Sequence, residues 1–265
     1  MSISQRDPHM KTSIKELELV DGQIVIRFLE GGEGRTYLLL HGGAGPASML
    51  GLANALHRTG QVILPTHPGL DGEARPAWCS SIRQLALSYN ALLDQIDARD
   101  VTIIGNSVGG WIAVEMGLLD SPRIARIVLI NAVGIDADPS GSPIVDPMIV
   151  SPDRRAALAF HDPARFAFAP NGPDAAAAMA ENQRTLRIYA GEPFMHDPSL
   201  RPRLAELVDP TLILWGESDG IVDLAYGRRY AAAIPASRFE TIPNAGHFPQ
   251  IEQLQDVQRR IMAFG

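Results

Sequence analysis

The chain carries one cysteine, Cys79, in 265 residues. A single thiol excludes an internal disulfide framework and any cysteine-built metal cluster. Aromatic residues make up only 6% of the chain, too few for a broad platform on which single-stranded bases stack. Basic residues are in deficit, 23 Lys and Arg against 30 Asp and Glu, which leaves a net charge of −7. With no basic run to offset it, that balance argues against nucleic-acid and membrane partners. No apolar stretch approaches the roughly 18 uninterrupted residues of a membrane span. The opening MSISQRDPHMK is polar and lacks the apolar core of a secretory signal, so residues 1–12 read as a disordered leader. No Gly-Lys-Ser/Thr loop, no Gly-x-Gly-x-x-Gly after the first parallel strand and no His-Glu-x-x-His occurs. Neither a metal nor a cofactor is therefore expected. These exclusions leave a globular chain, expected in the cytoplasm, whose oligomeric state is open, a homodimer being one option.

What is present is an alternation of short apolar runs with longer amphipathic stretches, the pattern of an α/β fold. Ser13–Val20 and Gln23–Leu29 flank Asp21-Gly22, a strong hairpin signal. Thr36–Leu40 is apolar on both faces, as a buried parallel strand requires. Further strands are expected at Val62–Leu64, Val101–Ile104, Ile127–Ile130, Thr211–Trp215 and Arg238–Ile242. Apolar residues at three- and four-residue spacing predict helices at Met49–Arg58, Ile82–Ala98, Ser107–Leu119, Ala225–Ile234 and Gln250–Ala263. From Gly134 to Leu207 no strand pattern appears, while prolines and scattered Phe, Met and Tyr do. A structureless loop of that length is improbable, so residues 134–207 read as a helical cap inserted between core segments 1–133 and 208–265.

The chemistry concentrates at a few places. Gly105-Asn106-Ser107-Val108-Gly109-Gly110 follows a buried strand and opens a helix, so Ser107 sits on a tight turn with its hydroxyl held clear of the sheet. Its flanking glycines leave room for the turned backbone. A serine nucleophile needs a base, and the base needs an orienting acid. Of seven histidines, His247 comes last, in a loop before the final helix, which fits the chain order serine, acid, histidine. His41 opens a glycine-rich loop; His57, His67, His161 and His196 have no matching partner in their surroundings, and His9 lies in the leader. For the acid, Asp219 in Trp215-Gly216-Glu217-Ser218-Asp219-Gly220 is favoured by its turn-forming neighbours, with Glu217 second and Asp223 further on. The loop His41-Gly42-Gly43 after the third strand points to backbone amides of Gly43 and Val108 as donors to an oxyanion.

Together, His41-Gly42-Gly43, Gly-Asn-Ser107-Val-Gly-Gly, Trp-Gly-x-x-Asp219 and Gly-His247-Phe248 resemble the α/β-hydrolase superfamily from about Ile14 to Ala263, the cap excepted. The resemblance implies a mostly parallel sheet of eight strands flanked by helices, and a triad of Ser107, Asp219 and His247. It implies a carboxylesterase-like hydrolase of a small-molecule ester or related acyl compound. The Gly-Asn-Ser and His-Gly-Gly motifs are also similar to the meta-cleavage-product hydrolases, which split carbon–carbon bonds. Phe248 stands where those enzymes carry Trp, and the Thr66-His67-Pro68-Gly69 turn lacks their usual Asp. Their cap arginine would correspond to Arg184 or Arg187, which with Gly42 and Phe248 are the expected substrate contacts. Perhydrolase chemistry and a non-catalytic ligand-binding protein are the remaining alternatives. Phe160, Phe166, Phe168, Met179, Tyr189, Phe194 and Met195 either line the pocket or form the cap's own core.

Overall fold

The computed structural model describes residues 12–139, 141–167 and 172–265. Strand β1 (Thr12–Leu19) already includes Thr12, which pairs with Gly31, so the expected leader is one residue too long. Its other eleven residues lie outside the described set. β1 runs antiparallel to β2 (Ile24–Gly31) through a turn in which Asp21 (φ 53°) and Gly22 (φ 79°) are both left-handed. Two positive φ angles match the right-handed twist of the flanking strands, which is why Asp-Gly suits this turn.

The remaining strands are β3 (Thr36–Leu40), β4 (Gln61–Pro65), β5 (Val101–Asn106), β6 (Ile124–Ile130), β7 (Thr211–Gly216) and β8 (Ser237–Ile242). They form one eight-stranded sheet in the order β1-β2-β4-β3-β5-β6-β7-β8. β1 with β2 and β2 with β4 are antiparallel, and every other pairing is parallel. Helices α1 (Leu50–Leu56), α2 (Ile82–Gln95) and α3 (Val108–Gly117) follow β3, β4 and β5. Helices α4 (Pro152–Ala159), α5 (Pro163–Phe166), α6 (Pro173–Ala190) and α7 (Leu200–Arg203) lie between β6 and β7. Helix α8 (Leu224–Ala233) follows β7, and α9 (Pro249–Glu252) and α10 (Leu254–Phe264) close the chain. The single helix expected at Gln250–Ala263 is thus divided at Gln253, whose backbone leaves the helical region (φ −129°, ψ 47°).

Two cores sandwich the sheet, and the period of two in the strands assigns residues to each. Leu38, Leu40, Ile103, Ile213 and Trp215 face α2, α3 and α8, meeting Tyr89, Ile112 and Tyr230. Leu39, Ile104, Leu212 and Leu214 face the other way, onto Leu52 and Leu56 of α1 and Val257 and Ile261 of α10. Burial on both faces explains why β3, β5 and β7 read as continuous apolar runs.

Between β6 and β7 the described residues contain helices and one isolated bridge, Gly134 to His196. This stretch rests on the loops at the carboxyl ends of the parallel strands. Leu186 packs over Gly43 after β3, Thr185 Oγ1 donates to Gly69 O (2.8 Å) after β4, and His247 N–H donates to Ala159 O (2.7 Å) after β8.

Candidate active site

β5 ends at Asn106 and α3 begins at Val108, so Ser107 alone makes the strand-to-helix turn. Its backbone is forced to φ 56°, ψ −119°, a region that costs a non-glycine residue about 1–3 kcal/mol. The turn closes only because its neighbours lack side chains. A Cβ at Gly105 would lie 2.2 Å from Gly109 O, and one at Gly109 would lie 2.0 Å from Leu40 O in β3. Ser107 remains 8% exposed, with its N–H bonded to Ile130 O of β6 (3.0 Å).

Three acids compete for one role in the sequence, and the structure gives each a different partner. Asp219 is buried, and its Oδ2 lies 2.8 Å from His247 Nδ1. Glu217 instead accepts from Thr241 Oγ1 (2.8 Å) at the surface, and Asp223 caps α8 by accepting from Tyr226 N (2.9 Å). The Asp219 carboxylate has further donors: Ile221 N (2.8 Å) and Val222 N (3.2 Å) on Oδ1, and Asn131 Nδ2 (2.7 Å) on Oδ2. Asn131 follows β6 in the left-handed region (φ 47°), and its Oδ1 accepts from Gly216 N (3.1 Å) at the end of β7. One side chain thus ties two strand ends together and grips the acid.

His247 is held as firmly. Asn106 Nδ2, beside the serine, donates to His247 O (3.0 Å) and to Ile130 O (3.1 Å). The nearly buried Glu252 accepts from Gly246 N (2.6 Å), His161 N (3.2 Å) and Asp162 N (3.0 Å), joining the histidine loop to α4 and α5. Among the described residues neither Ser107 Oγ nor His247 Nε2 has a hydrogen-bond partner. Contacts of this kind are often long without substrate and tighten in its presence.

The His41-Gly42-Gly43 loop lies against this site. A Cβ at Gly42 would come within 2.9 Å of Ser107 Cβ, and one at Gly43 within 2.5 Å of Leu186 Cδ2. The Gly43 and Val108 amides meet no protein acceptor among the described residues. The loop is braced by a pair of histidines, His41, which opens it, and His67, expected to have no partner. His41 and His67 are buried with rings stacked 3.7 Å apart. Tyr89 O–H donates to His67 Nδ1 (2.5 Å), and His67 Nε2–H donates to His41 O (2.8 Å). His67 N–H donates to His41 Nε2 (3.1 Å), and His41 Nδ1–H donates to Gly42 O (2.7 Å). Each ring accepts at one nitrogen and donates at the other, which requires both to be neutral. Burial accordingly pushes His41 down to about 4 and His67 well below the ordinary imidazole value.

The expected cap contacts divide. Phe248 packs beside His247 (5.2 Å, edge on) and against Phe160 (5.3 Å). Leu158, Ala159, Phe160 and Ile221 form an apolar cluster there, with Phe166 and Phe248 packed on it. Tyr189 donates to Pro68 O (2.9 Å), Arg165 covers Phe166, and Arg155 approaches Met179. Phe168 lies outside the described residues. Arg184 and Arg187 correct the expectation of a cap arginine facing substrate. Arg184, 65% exposed, pairs with Glu181 one turn back, and Arg187, 50% exposed, is held by Asp146 (3.1 Å). Both point away from the buried face that α6 presents through Thr185, Leu186 and Tyr189. His161, expected to stand alone, meets Ser218 Oγ (2.8 Å). Cys79 is buried near Tyr189 OH, and burial raises its thiol. Among the described residues no cluster of His, Cys, Asp or Glu is placed to hold a metal, and no helix is long and apolar enough to cross a membrane.

Comparison with known proteins supplies a family. A family model described as alpha/beta hydrolase fold matches residues 37–254. The chain is 27% identical over 288 residues to a 2-hydroxy-6-oxononadienedioate/2-hydroxy-6-oxononatrienedioate hydrolase of Pseudomonas putida, covering all of this chain and 98% of that one. It is 28% identical to the dihydrolipoyllysine-residue acetyltransferase component of an acetoin cleaving system, also of Pseudomonas putida, over 92% of this chain and 67% of that one. Among solved structures it is similar in fold to a meta-cleavage product hydrolase from Pseudomonas fluorescens, with a TM-score of 0.77, 22% identity and coverage of 94% and 96%. An esterase from Exiguobacterium antarcticum is also similar, with a TM-score of 0.75, 19% identity and coverage of 94% and 98%.

Proposed function

Because the chain belongs to the alpha/beta hydrolase fold family, we propose that it is a serine hydrolase acting on a small-molecule ester or related acyl compound. The observation that carries this reading is the buried 2.8 Å contact between Asp219 and His247, anchored through Asn106 to the strained turn that presents Ser107. In it, Ser107 Oγ attacks the carbonyl carbon while His247 Nε2 takes the hydroxyl proton. Asp219 holds Nδ1–H and stabilises the imidazolium, its own charge spread over donors from Asn131, Ile221 and Val222. The amides of Gly43 and Val108 receive the oxyanion, a type of contact worth about 3–4 kcal/mol per donor. His247 then returns the proton to the leaving group, and water, deprotonated by the same imidazole, releases the acyl group from Ser107.

A second reading keeps this machinery and hydrolyses a carbon–carbon bond, favoured by relatives matched over most of their length that are named 2-hydroxy-6-oxononadienedioate/2-hydroxy-6-oxononatrienedioate hydrolases. Steady-state hydrolysis of 4-nitrophenyl acetate tests the first. Ser107→Ala and His247→Asn should each lower kcat at least about 1,000-fold, since members of such a triad act as a unit. Equal rates in wild type and both variants would leave a protein that binds ligands without turning them over.

A further inference from the structure

We propose that the pocket beside Ser107 accepts only uncharged groups, so that the substrate is a neutral acyl compound with no carboxylate near its scissile bond. This rests on the serine-hydrolase reading and narrows it. The site is closed: Ser107 is 8% exposed, Asp219 6% and His247 3%. Its roof is Leu186, packed over Gly43, and one wall is the apolar cluster of Leu158, Ala159, Phe160 and Ile221 with Phe248 against it. A carboxylate drawn into such a site loses its water and needs a cation in exchange.

Among the described residues, outside which Arg6 and Lys11 fall, no cation is placed to supply that exchange. Among the described residues no Lys or Arg is buried, and residues 168–171 contain neither. The arginines of the covering segment are exposed or committed elsewhere: Arg154 and Arg165 are exposed, the latter over the Phe166 ring, while Arg155 is held by Pro147 O, Arg184 by Glu181, Arg187 by Asp146, Arg201 by Asp136 and Arg203 by Glu115. Arg75, beneath α6, donates to Cys79 O (2.9 Å). The two buried imidazoles nearest the loop, His41 and His67, spend every ring nitrogen on each other, on Tyr89 and on backbone carbonyls. The charge that His247 acquires in the reaction already belongs to Asp219. An added anion would face an apolar wall and a carboxylate.

Three 4-nitrophenyl esters of one chain length separate charge from size: the hexanoate, the monoester of adipic acid, and the corresponding adipic monoamide. Wild type should prefer the hexanoate over the acid by at least about 100-fold in kcat/KM, which is about 2.8 kcal/mol at 1.4 kcal/mol per tenfold. The amide, neutral and nearly the same shape, should be cleaved at least about tenfold faster than the acid. Leu186→Arg, which brings a cation to the roof, should narrow the hexanoate-to-acid ratio at least about tenfold. A wild-type ratio below tenfold, or an amide no better than the acid, overturns the inference and leaves the hydrolase reading standing. Failure to cleave any of the three, with no covalent adduct on Ser107 from a sulfonyl fluoride, overturns the hydrolase reading itself.

Discussion

Acid should unfold this protein earlier than its carboxylates alone would, because the His41-Gly42-Gly43 loop is braced by histidines that must stay neutral. His41 accepts from His67 N–H at Nε2 and donates from Nδ1 to Gly42 O, so a second proton would set N–H against N–H. Its value falls from 6.5 to about 4 on folding. Below about pH 6.5 the unfolded chain takes up a proton that the fold refuses until about pH 4. Stability from this residue is therefore fully present above pH 6.5 and declines as pH falls toward 4. At 1.36 kcal/mol per pH unit the full loss is about 3 kcal/mol, with about 2.5 kcal/mol gone by pH 4.5. His67, lowered further, adds in the same direction. The lowered carboxylates Asp97, Asp136, Asp197 and Asp256 lose their contributions only below 3.8, outside this window, and Asp209, raised by burial, acts in the opposite sense. Domains have only about 5–15 kcal/mol to lose, so the effect is large. Urea unfolding at pH 7.5, 6.5, 5.5 and 4.5 measures it, and His41→Gln, whose side-chain carbonyl can accept from His67 N–H, should remove about half the slope. A loss under about 1 kcal/mol between pH 6.5 and 4.5, or an unchanged slope in the variant, would refute the neutral-pair argument.

Asn131→Gly keeps the left-handed backbone at no steric cost and deletes the amide that grips Asp219, so kcat/KM on a neutral ester should fall about 10- to 150-fold, the equivalent of a charge-assisted hydrogen bond. An unchanged rate would reduce Asn131 to a tie between β6 and β7. Arg184→Ala combined with Arg187→Ala should leave ester kcat/KM within about twofold and stability within about 1 kcal/mol per pair, since both arginines are half exposed or more. A tenfold rise in KM for a carboxylate-bearing substrate would restore an arginine to the pocket.

The parts of this molecule that local chemistry dictates were legible in the sequence, and the parts made by distant contacts were not. The Asp21-Gly22 turn, the two-sided apolar strands and the glycines around Ser107 each follow from constraints within a few residues. The order of serine, acid and histidine singled out His247, and the turn-forming neighbours Ser218 and Gly220 singled out Asp219, which the fold brings into contact with it. Nothing local marks Asn131, 88 residues from the carboxylate it holds, or Glu252, about 90 residues from two of the amides it accepts from. His67 looked solitary because its partners lie 26 and 22 residues away and meet it only when β3, β4 and α2 pack. The arginines misled for a related reason: a resemblance supplies a residue type, whereas the direction of a helix face depends on what it packs against. Glu181, three residues before Arg184, was the one local sign that this side chain has a surface partner.

If Ser107 is a nucleophile activated through His247 and Asp219, a sulfonyl fluoride should label it, which peptide mapping by mass spectrometry detects. One stoichiometric adduct is expected, located on Ser107, absent from Ser107→Ala and formed far more slowly by His247→Asn. No adduct on Ser107, together with undiminished esterase activity in Ser107→Ala, would contradict that role.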